Sequence, residues 1–389
     1  MEEALERVET PSLKPRSLIG SFGPGLILMM TGIGTSHLVT APAAGGRFGY
    51  ALLWCIPLAY IFKYSGFEMA FRFTHATGHS LLDAYATAPR SWPLIYVLVT
   101  TLVQCVVGQA GRLVAAAAVL YYAISALFGV EVPLAWLALS LGVVSVAVHL
   151  GGRYSIMETV TKILAGVLVV SGLGIYVLEP APGSALRHFF IPDIPDGSWL
   201  ILAAFLGLLP TGIDVSLQAS EWGKARKVGL GYLRPAVESD GLAPRFEART
   251  SPKQALAVDH SRLPAGAREY CRRWLTIALW DFRIGHFISF LLACLFLLLA
   301  AVHLYPSDVS GNAVMGEIGG IFTEAAGPWM MAVFLLGAFA ATFSTAFNYF
   351  DGWPRVVGAC CRGLFSSTAS MPGLDRAEIS PESRRNWAS

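Results

Sequence analysis

Long apolar segments dominate the sequence and decide the environment in which the chain can fold. A helix that spans a bilayer needs about 20 mostly apolar residues. Eight stretches come close to this requirement, at residues 18–44, 50–73, 93–128, 132–149, 157–178, 199–219, 284–304 and 328–350. Only 14% of the 389 residues are charged, whereas soluble domains carry about 25%. The sequence therefore predicts an all-α, polytopic membrane protein.

The charges between these segments predict which loops face the cytoplasm, because inner loops carry an excess of Lys and Arg. With the N-terminus inside, the outer loops hold only Arg47 and Arg187 as basic residues. The outer loop between segments seven and eight contains Asp308, Glu317 and Glu324 and has no Lys or Arg. Both termini are therefore predicted to be cytoplasmic.

This topology divides the chain into five predicted parts. They are a cytoplasmic tail at 1–17, the first repeat plus broken segment six at 18–222, a basic cytoplasmic loop at 223–283, segments seven and eight at 284–354, and a polar cytoplasmic tail at 355–389. The basic loop is interpreted as a connector attracted to anionic lipid, with a regulatory role as the alternative. The net charge of +2 gives no general attraction to nucleic acid, and no protein partner is evident.

Segments one and six contain residues that interrupt a helix at their centres. Segment one carries Gly32 and Gly34, and segment six carries Gly207, Pro210 and Gly212. Unwound backbone at membrane depth is tolerated only where it is buried in protein or lines a cavity. Paired interruptions at corresponding places of two repeats point to the substrate site of a transporter. We therefore expect a substrate site between segments one and six.

Polar side chains lie at both interruptions. They are Thr35, Ser36, His37, Thr211, Asp214 and Ser216. An ionisable group within the membrane is by default a functional hypothesis, which makes His37 and Asp214 candidate ligands of a transported ion. The alternatives are a buried histidine satisfied by a neighbouring carbonyl and an aspartate that caps the second half of segment six.

Four further polar residues within the segments are candidates for coupling or gating. Glu68 and Arg72 are four residues apart with the acid first, and this spacing more often stabilises a helix than moves ions. Gln109 and Arg112 lie on segment three, where a guanidinium requires a partner or a hydrated cavity. An enzyme is the least favoured class, because no nucleophile, base and orienting group occur at a recognisable spacing.

Short motifs along the chain resemble a known family. The first set comprises Gly23-Pro24-Gly25-Leu26, Ala44-Gly45, the run from Phe48 to Trp54, and Thr77-Gly78. These motifs resemble the NRAMP (natural resistance-associated macrophage protein) family of proton-coupled divalent-metal transporters. Further motifs of this chain resemble those of a divergent bacterial branch of that family. They lie at residues 34–39, 63–68, 209–216, 281–283 and 351–355. Together the motifs cover about residues 20–360.

The resemblance implies a LeuT-type inverted-repeat fold, in which two repeats of five helices hold the site between broken helices one and six. Its metal site carries over only in part. The first-helix Asp-Pro-Gly-Asn of the family falls on residues 34–37, so the carboxylate is lost and His37 replaces the amide. The sixth-helix methionine falls on Leu209, and the backbone carbonyl three residues earlier is that of Leu206. The acidic residues of the third helix fall on Gln109 and Arg112.

The remaining groups favour a hard cation. Carbonyl, hydroxyl and carboxylate oxygens suit Mg²⁺, and Mn²⁺ also accepts an imidazole. The expected ion-binding set is Gly34, Thr35, His37, Leu206, Leu209, Thr211 and Asp214, with His37 and Asp214 as side-chain metal ligands. The divalent cation is the transported substrate, no resident cofactor is expected, and membrane lipid is the other expected partner.

We therefore expect a multi-pass secondary transporter of a bacterial plasma membrane, which moves Mn²⁺ or Mg²⁺ by alternating access. Two alternatives stay open. One is a LeuT-fold carrier of a non-metal solute, whose anionic group would meet positive half-helix ends. The other is a truncated, non-transporting membrane protein, because a five-plus-five fold needs ten helices and this chain supplies about eight, which leaves the second repeat incomplete.

Overall fold

The computed structural model describes residues 8–34, 36–151, 166–167, 169–178, 180–246, 253–307 and 314–365. Within these ranges the chain is helical and contains no strand, which confirms the predicted all-α class. Several sequence-based expectations fall outside the described residues. They concern Thr35, Asp308, the first part of segment five and the tail beyond residue 365.

Segment one is divided into separate helical pieces. Helix α1 is Pro15–Gly20 and α2 is Pro24–Gly32; after the interruption come a π-helical turn, Ser36–Thr40, and helix α3, Ala41–Phe48. Segment two is a single helix, α4, at Cys55–Thr77. It ends where Gly78 has a φ of 73°, a left-handed conformation that glycine adopts without a steric penalty.

The later helices follow the predicted segments in order. They are α5 Leu81–Ala86, α6 Trp92–Val103, α7 Gln109–Phe128, α8 Leu134–Leu150, α9 Val169–Leu178, α10 Trp199–Leu208, α11 Val215–Arg226, α12 Leu230–Ser239, α13 Ala265–His303, α14 Val314–Ala326 and α15 Trp329–Phe365. A π-helical turn at Gln104–Gly108 joins α6 to α7. Segment six is thus divided between α10 and α11.

Three helical spans in the described part of the chain are long and apolar enough to cross a membrane. They are Pro89–Ala126, α13 and α15, with 38, 39 and 37 residues. At a rise of about 1.5 Å per residue, each is longer than the roughly 30 Å hydrocarbon core of a bilayer. Helices α8, α9 and α10 are shorter apolar helices. This pattern agrees with a multi-pass membrane protein.

Two segments that the sequence predicts as loop or tail contain helix. In the 223–283 region α12 is helical and α13 begins at Ala265 rather than at residue 284, while α15 continues beyond residue 355 to Phe365. Hydropathy detects only the apolar part of such a helix. The polar extension of α13 is stabilised instead by pairs such as Arg273 Nε to Glu269 Oε1, at 2.7 Å and one helical turn apart.

Helix α13 packs against α2, α3 and α4. It also fixes the N-terminal end of α2 in segment one. Its Asp281 side chain accepts hydrogen bonds from the backbone N–H groups of Gly23 and Gly25, at 2.9 and 2.8 Å. A carboxylate at this position satisfies free N–H groups at the start of α2 and complements the helix dipole. A Cβ on Gly25 would lie 2.5 Å from the backbone nitrogen of Phe282. The glycine motif and the Asp281 motif therefore form one contact.

Candidate functional site

The predicted interruption of segment six is present between α10 and α11. Helix α10 ends at Leu208 and α11 begins at Val215. A helical carbonyl accepts from the N–H four residues later. Pro210 has no N–H to offer the carbonyl of Leu206, and the chain leaves the helix before residue 211 could pair with Gly207. The interruption therefore exposes backbone oxygens to other partners.

The interruption of segment one packs directly against it. Helix α2 ends at Gly32, and a Cβ on this residue would lie 2.6 Å from the carbonyl oxygen of Pro210. Helix α15 closes the other side, because the Thr345 hydroxyl donates to the carbonyl of Ile33 at 3.3 Å and also lies against Gly34. The structure thus brings the two interruptions together, and only small residues permit the contact.

A lysine that sequence analysis did not select as a site residue reaches the exposed carbonyls. Lys63, near the middle of α4, donates from Nζ to the carbonyl oxygens of Gly207 at 2.7 Å and Thr211 at 3.0 Å. The available signal was a single lysine within an apolar helix, and such a residue is a functional hypothesis in its own right. In the sequence, the motif around Lys63 carries only the family resemblance.

Asp214 lies at the other end of the same interruption. It occupies the N-cap position of α11, but its side chain makes no capping hydrogen bond. Its charge interacts with those of Arg112 and Lys63. The guanidinium carbon of Arg112 lies 3.8 Å from the ring centroid of Tyr349, a cation–π contact. The site therefore combines one carboxylate, two basic side chains and free backbone oxygens.

His37 forms hydrogen bonds with Ser36, Tyr60 and Ser289 in this structure. The residue is fully buried, and its Nδ1 lies 2.9 Å from the Ser36 hydroxyl. Its Nε2 lies 2.9 Å from the Tyr60 hydroxyl, 2.9 Å from Ser289 Oγ and 3.1 Å from the Ser289 carbonyl. Both ring nitrogens are thus occupied. The structure does not form the predicted pairing of His37 with Asp214, and no cluster of three His, Cys, Asp or Glu residues suited to a metal occurs among the described residues.

The other predicted ion-binding residues divide into two groups. The Leu209 side chain is fully buried in a core cluster with Ala41 and Phe205. Leu206 contributes a backbone carbonyl at the end of α10, and Thr211 is buried with its hydroxyl 3.4 Å from that of Tyr349. Segment six therefore supplies both backbone and side-chain oxygens of the predicted set.

Gln109 and Arg112 lie on one face of α7, toward α15. Gln109 donates from Nε2 to the carbonyl of Ala346 at 2.9 Å. The Gln109 Oε1 and Arg112 Nη1 atoms are buried without a hydrogen-bond partner. Buried polar atoms are usually paired with protein or ordered water, so these two atoms mark a polar region between α7 and α15.

Glu68 and Arg72 join helices, in agreement with the structural interpretation of their spacing. Glu68 Oε1 accepts from Arg72 at 3.2 Å and from Arg283 at 2.9 Å. Arg283 also donates from Nε to the Tyr64 hydroxyl at 3.1 Å. This group fastens α4 to α13 one to two turns from Lys63. It therefore fixes the helix that carries the lysine.

The C-terminal end of α11, beyond the apolar part of segment six, is held by a second charged group. Lys224 Nζ lies 2.7 Å from Asp83 Oδ2, and Asp83 forms a capping box with Ser80 at the start of α5. Burial raises the pKa of the Asp83 carboxyl, but Lys224, His79 and the Ser80 backbone outweigh it and hold the pKa below its usual value. The carboxylate is therefore charged at neutral pH.

Replacing Lys224 with methionine is expected to destabilise the protein by about 2–4 kcal/mol, because it leaves a mostly buried carboxylate without its cation. The measurement is the fraction of monodisperse protein after heating in detergent, with Lys224→Arg as the charge-preserving control. The pKa of Asp83 is lowered in the folded state. The difference in stability between wild type and Lys224→Met is therefore largest above the ordinary Asp pKa of about 4, and it decreases as the pH falls below that value. Equal stability of the Lys224→Met and Lys224→Arg variants would contradict this account.

The amino-acid sequence is similar to those of known proteins. A family model described as natural resistance-associated macrophage protein-like matches residues 25–350. An uncharacterized protein of Pasteurella multocida is 21% identical over 383 residues, which are 96% of this chain and 77% of that protein. The divalent metal cation transporter MntH of Chromohalobacter salexigens is 31% identical over 209 residues, which are 51% of this chain and 46% of that protein.

Solved structures show the same fold. Two variants of a manganese transporter of Eremococcus coleocola align with a TM-score of 0.58 and identities of 16% and 15%. Each alignment covers 98% of this chain and 72% of the other chain. The predicted LeuT-type fold is thereby confirmed.

Proposed function

Because the chain belongs to the natural resistance-associated macrophage protein-like family, we propose that it is a secondary transporter that moves a divalent metal cation across the membrane. The family is one of transporters, so the chain is not an enzyme. The names of the relatives from Chromohalobacter salexigens and Eremococcus coleocola support divalent metal, and manganese in particular, as the cargo.

The observation that carries the proposal is the interruption of segment six. It presents the carbonyl oxygens of Leu206, Gly207 and Thr211 within a few residues of the Asp214 carboxylate. Carbonyl and carboxylate oxygens are the donors that Mg²⁺ and Mn²⁺ prefer, whereas copper and ferrous iron favour softer ligands. In this proposal the cation binds to oxygens of segment six, with Asp214 as its charged ligand and without His37.

Alternating access would move the helices on either side of this site. With the N-terminus inside, α3 and α10 form the outer halves of segments one and six, and α2 and α11 form the inner halves. Helix α11 is held by Lys224 and Asp83. Release of that inner clamp would open the site toward the cytoplasm. We place the protein in a bacterial plasma membrane with its N-terminus inside, an orientation that the distribution of Lys and Arg supports.

A second function is favoured by the balance of charge at the site. Lys63 and Arg112 both interact with the single carboxylate of Asp214. Two basic groups and one acidic group suit a solute with a carboxylate or another anionic group, and the positive end of α11 adds to this preference. A carrier of an organic anion is therefore the alternative, and its substrate binding would be indifferent to metal chelators.

Uptake into proteoliposomes tests both functions with the protein as it stands. Under the metal proposal, radioactive Mn²⁺ enters with saturable kinetics, and excess Mg²⁺ or an external chelator suppresses this uptake. Protein-free liposomes provide the background. Absence of saturable Mn²⁺ or Mg²⁺ uptake by monodisperse wild-type protein would overturn the metal proposal. Chelator-insensitive uptake of a labelled organic acid would then support the alternative.

A further inference from the structure

The Lys63 ammonium occupies a place that has the chemistry of a cation site. Its Nζ atom lies 2.7 Å from the Gly207 carbonyl oxygen and 3.0 Å from that of Thr211. Both oxygens belong to the interruption of segment six, where the helical donors are missing. The C-terminal end of α10 also carries the negative end of a helix dipole. An ammonium with three donors and no acceptor fits this position.

No acidic side chain accounts for the position of Lys63. Within the part of the chain that the structure describes, its ammonium has no carboxylate within the 4.0 Å of an ion pair. Asp214 interacts with Lys63 only through longer-range electrostatics. The charge is therefore held by the same carbonyl oxygens that are proposed to bind the transported cation.

Helix packing delivers the lysine to this place. Gly66, three residues further along and on the same face of α4, faces the interruption so closely that a Cβ would lie 2.8 Å from Ile213 Cδ1. Glu68 and Arg283 fasten α4 to α13 at 2.9 Å. The lysine backbone is thus fixed near segment six, while the four-carbon side chain remains long enough to move its charge away.

We propose that Lys63 is a tethered cation that occupies part of the transport site and that an incoming cation must displace it. The inference rests on the proposed function and names the residue that sets its selectivity. A monovalent cation binds these carbonyl oxygens with a free energy close to that of the ammonium, so it displaces the lysine poorly. A divalent cation binds more strongly, because its second charge interacts with Asp214. Lys63 would therefore act as a specificity-determining residue that excludes weakly bound monovalent ions.

The first test measures Mn²⁺ affinity by equilibrium binding to purified protein in detergent. The Lys63→Met variant is expected to bind Mn²⁺ roughly 10- to 100-fold more tightly than wild type, because a positive charge a few ångströms from the ion is removed. Lys63→Arg, which keeps the charge, is expected to bind no more tightly than wild type. Lys253→Met, at an exposed lysine that begins the 3-10 turn Lys253–Leu256, is the matched control.

The second test needs no substitution and so does not depend on the folding of a variant. In wild-type protein, saturating Mn²⁺ should increase acetylation of Lys63 by an amine-reactive reagent, measured by peptide mass spectrometry, because the displaced ammonium loses its two carbonyl partners. Acetylation of Lys253 should not change. A lysine that only fastens α4 to segment six would show no such response to Mn²⁺.

The outcomes separate this inference from the proposed function. If wild-type protein binds Mn²⁺ but Lys63→Met binds it with equal or lower affinity and Mn²⁺ leaves Lys63 acetylation unchanged, the inference is wrong and metal transport stands. If neither wild-type protein nor a monodisperse Lys63→Met variant binds Mn²⁺ or Mg²⁺, the proposed function fails and the inference with it. Metal binding that appears only in Lys63→Met supports the displacement directly.

Discussion

Replacement of Asp214 by asparagine is expected to lower divalent-cation uptake at least about 100-fold. Asp214 is the carboxylate at the interruption of segment six, and its charge interacts with those of Lys63 and Arg112. The amide keeps the size and removes the charge, so a divalent cation would face two basic side chains without a compensating acid. A loss of roughly 3 kcal/mol in binding corresponds to this factor, since each 1.4 kcal/mol is tenfold.

The measurement is initial Mn²⁺ uptake into proteoliposomes with equal amounts of protein. Folding should be preserved, because the Asp214 side chain makes no capping hydrogen bond to α11. Asp196→Asn, in the exposed stretch before α10, applies the same chemical change away from the site and should retain full uptake. Normal uptake by Asp214→Asn would remove Asp214 from the site and shift the assignment toward the backbone carbonyls alone.

Replacement of Gly45 by alanine is expected to destabilise the fold by about 3 kcal/mol or more. Gly45 lies on α3 where it crosses α13, and a Cβ there would overlap the carbonyl oxygen of Leu297 and lie 2.9 Å from the backbone nitrogen of Ala301. Backbone atoms of a long helix cannot move aside as a flexible side chain can. Overpacking of a tight core costs typically 1–3 kcal/mol and more where the backbone must shift.

The neighbouring glycine offers a matched control. A Cβ on Gly46 would have its nearest contact at 3.5 Å, with Leu304 Cβ, which is ordinary van der Waals distance. Gly46→Ala is therefore expected to leave the midpoint of thermal unfolding in detergent within a few degrees of wild type, whereas Gly45→Ala should lower it strongly or prevent monodisperse expression. Similar behaviour of the two variants would show that α3 and α13 are not in the close contact described.

The close approach of α3 to α13 also shows what a sequence motif can and cannot predict. The Ala44-Gly45 motif was available only as a resemblance to the NRAMP family, and the contact with Leu297 explains the need for a small residue there. In the same way, Gly25 and Asp281 belong to separate motifs, and the structure joins them in one helix-capping contact. A motif indicates which residue type is needed at a position. It does not indicate the residue that this position contacts, which for Gly25 lies more than 250 positions away in sequence.

Contacts between distant helices also decide the surroundings of other predicted residues. His37 was a reasonable ligand because an imidazole at membrane depth is rare, yet Tyr60 and Ser289, from two other helices, contact its Nε2, and Ser36 contacts its Nδ1. The helical extension of α13 before residue 284 was missed because a hydropathy window does not detect a polar helix. A local sequence pattern predicts neither the partners of His37 nor the polar extension of α13, because helix packing determines the first and charged pairs stabilise the second.

The sequence by itself determined the membrane environment, the all-α class, the interruptions of segments one and six, and Asp214 as the acidic group beside them. These properties follow from local hydropathy and from the backbone limits of glycine and proline. Tertiary structure alone decided that Lys63 donates to the freed carbonyls of segment six while His37 contacts Tyr60 and Ser289. The rotation and crossing of packed helices choose which polar side chains meet, and that choice is not encoded in any single segment.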